Sequence, residues 1–167
     1  YSIQISKLFY ERFIADGEIS LFSPHDVPGL YDAFGTDKFD DLYVGYERDE
    51  SIPRKTIGAQ KLILDLLKER AETGRLYIMN IDHCNSHSSF KDKVNMSNLC
   101  QEITLPTVPI THIDDYLGEI ALCILSAVNV GKVKSDEELE ELCDLSVRSL
   151  DELIDYQDYP VEAAKIA

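Results

Sequence analysis

The chain has 167 residues, a formal net charge of −15 and a pI near 4.5. That length supports one domain with a sizeable core, and so acidic a balance argues against a nucleic-acid or polyanion binder, which needs a basic face. No apolar run approaches the ~20 residues of a membrane span, and no basic stretch followed by an apolar one opens the chain, so no membrane segment or export signal is expected and a cytoplasmic location is.

Residues 2–15 carry Ile5, Leu8, Phe9, Phe13 and Ile14 close to helical spacing, with Gly17 as a stop. Residues 18–22 form a strand candidate closed by Ser23 and Pro24, where Ser23 can cap a turn of helix, and Pro28-Gly29 then bends the chain. A short helix over 36–48 carries Phe39, Leu42, Tyr43 and Tyr46 on one side. The clearest helix spans 54–73, where Ala59, Leu62, Ile63, Leu66 and Leu67 make an apolar stripe before Gly74. Residues 76–81 alternate as a strand, 82–96 read as a polar loop, and 120–125 suit a short buried strand. Ser135 and Glu138 form a capping box for a last helix whose buried stripe is Leu139, Leu142, Cys143, Ser146, Val147, Leu150, Leu153 and Ile154. Helices alternating with strands too far apart for hairpins predict an α/β fold with parallel pairing. No repeat, linker or internal boundary stands out, and 1–167 reads as one incomplete domain that opens at Tyr1 without an initiator methionine and stops at Ala167 without a closing element.

The stretch Ser97-Asn98-Leu99-Cys100-Gln101-Glu102-Ile103-Thr104-Leu105-Pro106-Thr107 stands apart. If it is extended, Asn98, Cys100 and Glu102 share one face, an amide, a thiol and a carboxylate in a row. On pattern alone this is also what a half-buried strand with a polar face looks like. Four cysteines, at 84, 100, 123 and 143, are better expected as reduced thiols with individual roles than as a disulfide framework. Cys123 reads as a small apolar residue of a buried strand, and Cys143 as core on the last helix. His83, Cys84 and His87 are competent metal ligands, but a second ligand pair would have to come from His25 and His112.

The Ser97–Thr107 stretch resembles the finger-loop motif of the large, catalytic subunit of class I ribonucleotide reductases. Leu21–Leu30, Asp82–His87, Gly118–Cys123 and Asp155–Pro160 agree with the same family, in order, over essentially the whole chain. The resemblance implies part of a ten-stranded α/β barrel whose finger loop threads the centre, with this chain contributing several strands and no closed barrel. It further implies radical reduction of ribonucleoside diphosphates to deoxyribonucleotides. By position, Cys100 would be the thiyl residue that takes the 3′-hydrogen, Glu102 the general base on the 3′-hydroxyl, and Asn98 a substrate-binding group that orients the sugar. Cys123 would be one half of the dithiol that supplies electrons; its partner would lie upstream of Tyr1. The 82–87 cluster would be structural, with no metal, and Tyr156 and Tyr159 would match a family segment other than the radical-relay tyrosines.

The same resemblance implies no cofactor in this segment. Its radical would come from a diiron-type small subunit, its reductant would be thioredoxin or glutaredoxin, and ATP and dNTP effectors would bind elsewhere in the large subunit. The remaining segments of that subunit are expected partners, without which the chain should not turn over. Two other readings are a non-catalytic fragment serving as an assembly or complementation partner, and a glycyl-radical or B12-type relative sharing the barrel and finger-loop cysteine. The intact Asn98, Cys100 and Glu102 set argues against the first, and the surrounding matches favour class I over the second.

Overall fold

The computed structural model describes residues 2–167, which divide into two compact units, 2–106 and 107–167. In the first unit β1 (Ser2–Ile5), α1 (Lys7–Ile14), β2 (Glu18–Phe22), α2 (Leu30–Ala33) and α3 (Phe39–Arg48) are followed by β3 (Arg54–Gly58), α4 (Ala59–Thr73), β4 (Tyr77–Asn80) and α5 (Ile81–Ser86). The second holds α6 (Asp136–Tyr156) and α7 (Glu162–Ile166), with a single 3-10 turn at Val130–Lys132 ahead of them.

The α/β expectation holds, with one correction to the pairing. β1 and β4 pair in parallel, Ser2 opposite Tyr77 and Ile5 opposite Asn80, but β2 and β3 pair antiparallel, Glu18 opposite Gly58 and Phe22 opposite Arg54. Among the described residues these are two separate two-stranded sheets with no closed barrel. Four strands of this length cannot close a barrel, which takes roughly eight to fill its own interior.

Two helices expected from periodicity begin later than their patterns suggest. Residues 2–5 alternate apolar and polar and join β4, and Ser6 then caps α1 by accepting from the Phe9 amide at 3.4 Å. Residues 54–58 likewise leave the predicted 54–73 helix to become β3, where β-branched Thr56 and Ile57 suit a pleated ladder. The first core then forms between these elements: Ile5, Phe9, Ile19, Ala59 and Ile63 are buried together, while Leu67 of the same predicted stripe stays 46% exposed.

A second core gathers Val27, Leu30, Phe39 and Tyr43. The Tyr43 hydroxyl donates to the Ser20 carbonyl and accepts from the Ser20 amide, both at 2.7 Å, satisfying the edge of β2 that β3 leaves open. Burial pushes the Tyr43 phenol up to about 12, so it remains a donor at any working pH. Arg12 lies 5.1 Å over the Tyr43 ring and grips Glu47 through both guanidinium nitrogens. Burial alone would raise the Glu47 carboxyl; its bonds from Arg12 outweigh this and hold it below the usual range.

In the second unit α6 starts where the sequence places it. Ser135 Oγ accepts from the Glu138 amide at 3.2 Å, and the Glu138 carboxylate reaches back to the Lys134 amide at 2.7 Å. The buried stripe does not follow. No residue of α6 is buried, Leu142, Leu145, Val147 and Leu153 are exposed, and Cys143, expected in the core, is exposed as well. An amphipathic helix is buried only where another layer covers it, and the unit around α6 is only 107–167. The predicted buried strand at 120–125 is irregular chain for a related reason: pairing stops at one antiparallel bridge between Val108 and Glu119, and Leu125 is 68% exposed.

What orders this unit locally is Asp115. Its carboxylate accepts from the Thr111 amide at 2.9 Å, the Thr111 hydroxyl at 2.8 Å and the Leu117 amide at 2.8 Å. These bonds, the backbone ones foremost, pull its pKa from 3.8 down to about 2. A depressed carboxylate lends stability that is complete above its unfolded pKa and is lost as pH falls through the folded one. Hydrogen-exchange protection of the Thr111 and Leu117 amides is therefore expected to be level from neutral pH to about 4 and to fall toward about 2. Asp115→Ala should cut that protection ~10-fold or more at pH 7; unchanged exchange would show that the loop holds without the carboxylate.

Candidate functional site

The third core explains how the site is built. Ile81, the first residue of the helix that carries His83 and Cys84, and Val94 are fully buried and pack with Met79. The sequence reading made 82–96 a loop throughout; its first turn is α5, which the polar sequence hides because only Ile81 is strongly apolar. Tertiary bonds supply what propensity does not. The Asp82 carboxylate accepts from the Lys7 amide at 2.5 Å, tying α5 to the start of α1. Asn85 Oδ1 accepts from the Val94 amide at 2.8 Å, while its Nδ2 donates to the Val94 and Ile81 carbonyls. Gly35 comes so close that an added Cβ would lie 2.6 Å from Ile81 Cγ1, and its φ of +76° belongs to glycine in any case.

The 97–106 segment lies against α5, and it is not extended. The Gln101 amide donates to the Asn98 carbonyl at 3.2 Å, closing a turn with Leu99 and Cys100 at its centre, and Gln101 takes a φ of +64°. Asn98 Oδ1 accepts from the Ile103 amide and the Ser97 hydroxyl, both at 3.1 Å. The amide therefore holds the loop through its oxygen, and Nδ2 is the group it can turn to a ligand. Asn98, Cys100 and Glu102 are all exposed.

The turn abolishes the same-face alternation expected of these three residues. Cys100 lines a cleft of about 560 Å³ with Arg70, Tyr77, His83, Cys84 and His87. Glu102 lines a neighbouring cleft of about 390 Å³ with Phe90 and Leu105, and His83, Cys84 and His87 border that one too. His83 and Cys84 of α5 and its cap His87 are thus a wall common to the clefts that hold the thiol and the carboxylate. Cys123, in the second unit, is exposed, its Sγ 4.0 Å from the Ile124 carbonyl oxygen.

Sequence reasoning missed Arg70 and Tyr77. Arg70 stacks 5.9 Å over the Tyr77 ring and donates to the Leu76 carbonyl, which aims a cation into the Cys100 cleft. An arginine in the last turn of the clearest helix, just before an aromatic strand residue, was the available signal. His83 and His87 stand edge to face with centroids 5.9 Å apart, and burial pushes the Cys84 thiol up. No group of three or more His, Cys, Asp or Glu side chains is placed to hold a metal among the described residues, and none of the described helices is long and apolar enough to cross a membrane.

An α/β scaffold presenting an exposed thiol and a carboxylate on one short loop is the class of protein this geometry defines. Comparison with known families narrows it. The model for "Ribonucleotide reductase, barrel domain" matches residues 1–167. The chain is 58% identical to the ribonucleoside-diphosphate reductase subunit alpha of Haemophilus influenzae and 54% identical to subunit alpha of ribonucleoside-diphosphate reductase 1 of Escherichia coli, each over 99% of this chain and 22% of the relative. It is 39% identical to the phage T4 subunit alpha over 100% of this chain and 23% of that protein. The chain belongs to the ribonucleotide reductase barrel-domain family. It spans about a fifth of the length of the curated relatives it matches.

Proposed function

We propose that this chain is a central part of the catalytic barrel of a class I ribonucleoside-diphosphate reductase large subunit, with 97–106 as its finger loop and both units belonging to one ten-stranded barrel. The observation that carries the reading is the match of the barrel-domain family over all 167 residues, with Cys100 on an exposed turn lining a cleft.

The chemistry explains why these residue types are needed. Hydroxide leaves a saturated carbon poorly, and a sugar radical removes that difficulty. A thiyl radical at Cys100, generated through a small radical-bearing subunit, takes the 3′-hydrogen. Glu102 accepts the 3′-hydroxyl proton, which makes the sugar radical electron-rich enough to expel the 2′-hydroxyl, and that group leaves as water with a proton from the dithiol. Asn98 orients the sugar through its Nδ2 hydrogens. Cys123 and a second cysteine then give up two electrons and become a disulfide, which thioredoxin or glutaredoxin returns to thiols. In this reading Cys100 and Glu102, which line neighbouring clefts bordered by the same α5 residues, meet one sugar ring. The location is cytoplasmic.

The test is an assay of the complete polypeptide with the small subunit, a ribonucleoside diphosphate and a dithiol reductant. Deoxyribonucleotide is the expected product; none from a soluble, assembled complex would point to an assembly role instead. Glu102→Gln keeps the shape and removes the base, and is expected to lower kcat by about 10²–10⁴-fold. A loss confined to KM would make Glu102 a binding group only.

A further inference from the structure

Cys84 has no part in the chemistry above, yet it borders the same cleft as Cys100. We propose that Cys84 is the resolving partner of Cys100, so that a hydroperoxide converts this pair into a reversible disulfide.

The two thiols differ in a way that sets the order of events. Cys100 is exposed at the centre of the Asn98–Gln101 turn, where an oxidant reaches it from solvent. Cys84 is half-buried on α5 against Ile81, and burial keeps its sulfur protonated, so it meets peroxide second. The Cys100 thiol attacks the peroxide, gaining one oxygen as a sulfenic acid and releasing one water. The Cys84 sulfur then attacks the sulfenic sulfur; the S–S bond forms, the S–O bond breaks, and the hydroxyl leaves with the Cys84 proton as a second water. Two thiols have lost two electrons, and one hydrogen peroxide has become two waters.

The turn is the element that adapts. A disulfide needs Cα atoms roughly 4.4–6.8 Å apart, and Leu99 and Cys100 are tethered only through the residues on either side of them. The result is a masked thiol that a dithiol restores, in place of a sulfinic acid that it does not. The inference rests on shared cleft walls and not on the radical role of Cys100, so the two can fail separately.

Peptide mapping decides it. The complete polypeptide is reduced, exposed to one equivalent of hydrogen peroxide, alkylated, and digested with trypsin and a glutamate-specific protease. Cleavage after Lys91 and Lys93 parts Cys84 from Cys100, and cleavage after Glu102 parts Cys100 from Cys123. The expected product is the Cys84 peptide joined to the Cys100 peptide, released by dithiothreitol, with Cys143 alkylated. In Cys84→Ser the joined peptide should vanish and dimedone-trapped or sulfinic Cys100 should rise. Cys100 oxidised to sulfinic acid beside a fully alkylated Cys84 in the unsubstituted protein, or Cys100 joined to any other cysteine, would overturn the proposal.

Discussion

Cys100→Ser in the complete enzyme is expected to reduce deoxyribonucleotide formation by at least ~10³-fold, the scale of loss when the one reacting atom of a site is removed. Serine preserves the turn, since neither the Asn98–Gln101 bond nor the Asn98–Ile103 bond involves the Cys100 side chain. What changes is the bond to hydrogen. Oxygen holds it far more strongly than sulfur, so serine cannot share a radical reversibly with a ribose C–H. Cys143→Ser, on the exposed face of α6, is the matched control and should keep full turnover. Substrate binding measured on the serine variant separates the outcomes: retained binding without product supports a radical role, and product surviving Cys100→Ser would sink the assignment.

Ile81→Ala is expected to be the most destabilising single change in the first unit, at about 2–5 kcal/mol. Ile81 is fully buried between Met79 and Val94, and Gly35 abuts it so closely that the backbone cannot collapse into the space left behind. Transfer and cavity costs then add, because the surroundings relax only partly. Urea unfolding should show a lowered midpoint with an unchanged slope. A loss below about 1 kcal/mol would mean that α5 repacks around the void. Since α5 carries His83 and Cys84, exchange at its amides should rise with the same substitution.

The legible parts of this molecule were those where one short pattern settles the structure. The capping box at Ser135 and Glu138, the strand at 18–22 and the stop at Gly74 each act within a turn of chain, and each stands where the pattern puts it. The misread parts depend on distant partners. Residues 2–5 become a strand because β4 lies beside them, and 81–86 becomes a helix because Asn85 binds Val94 and Asp82 binds Lys7. The α6 stripe was correctly placed as a pattern and wrongly placed as buried, because amphipathicity states what a face needs and not what covers it. At the site, residue identities pointed to Asn98, Cys100 and Glu102, but the alternation that would align them fails at Gln101, whose positive φ reverses the chain. Nothing local to that glutamine announces such a conformation.

The Asn85 side chain spans the base of residues 86–93 by bonding both polar groups of Val94. Whatever lies between those two residues is therefore a closed excursion: its ends are fixed by one amide, and its contour length does not propagate. Insertions or deletions in 87–92 should change the outline of the surface while leaving 97–106 in place. Asn85 thus acts as an expansion joint, and its loss would make the length of 86–93 a constraint on the loop that bears Cys100.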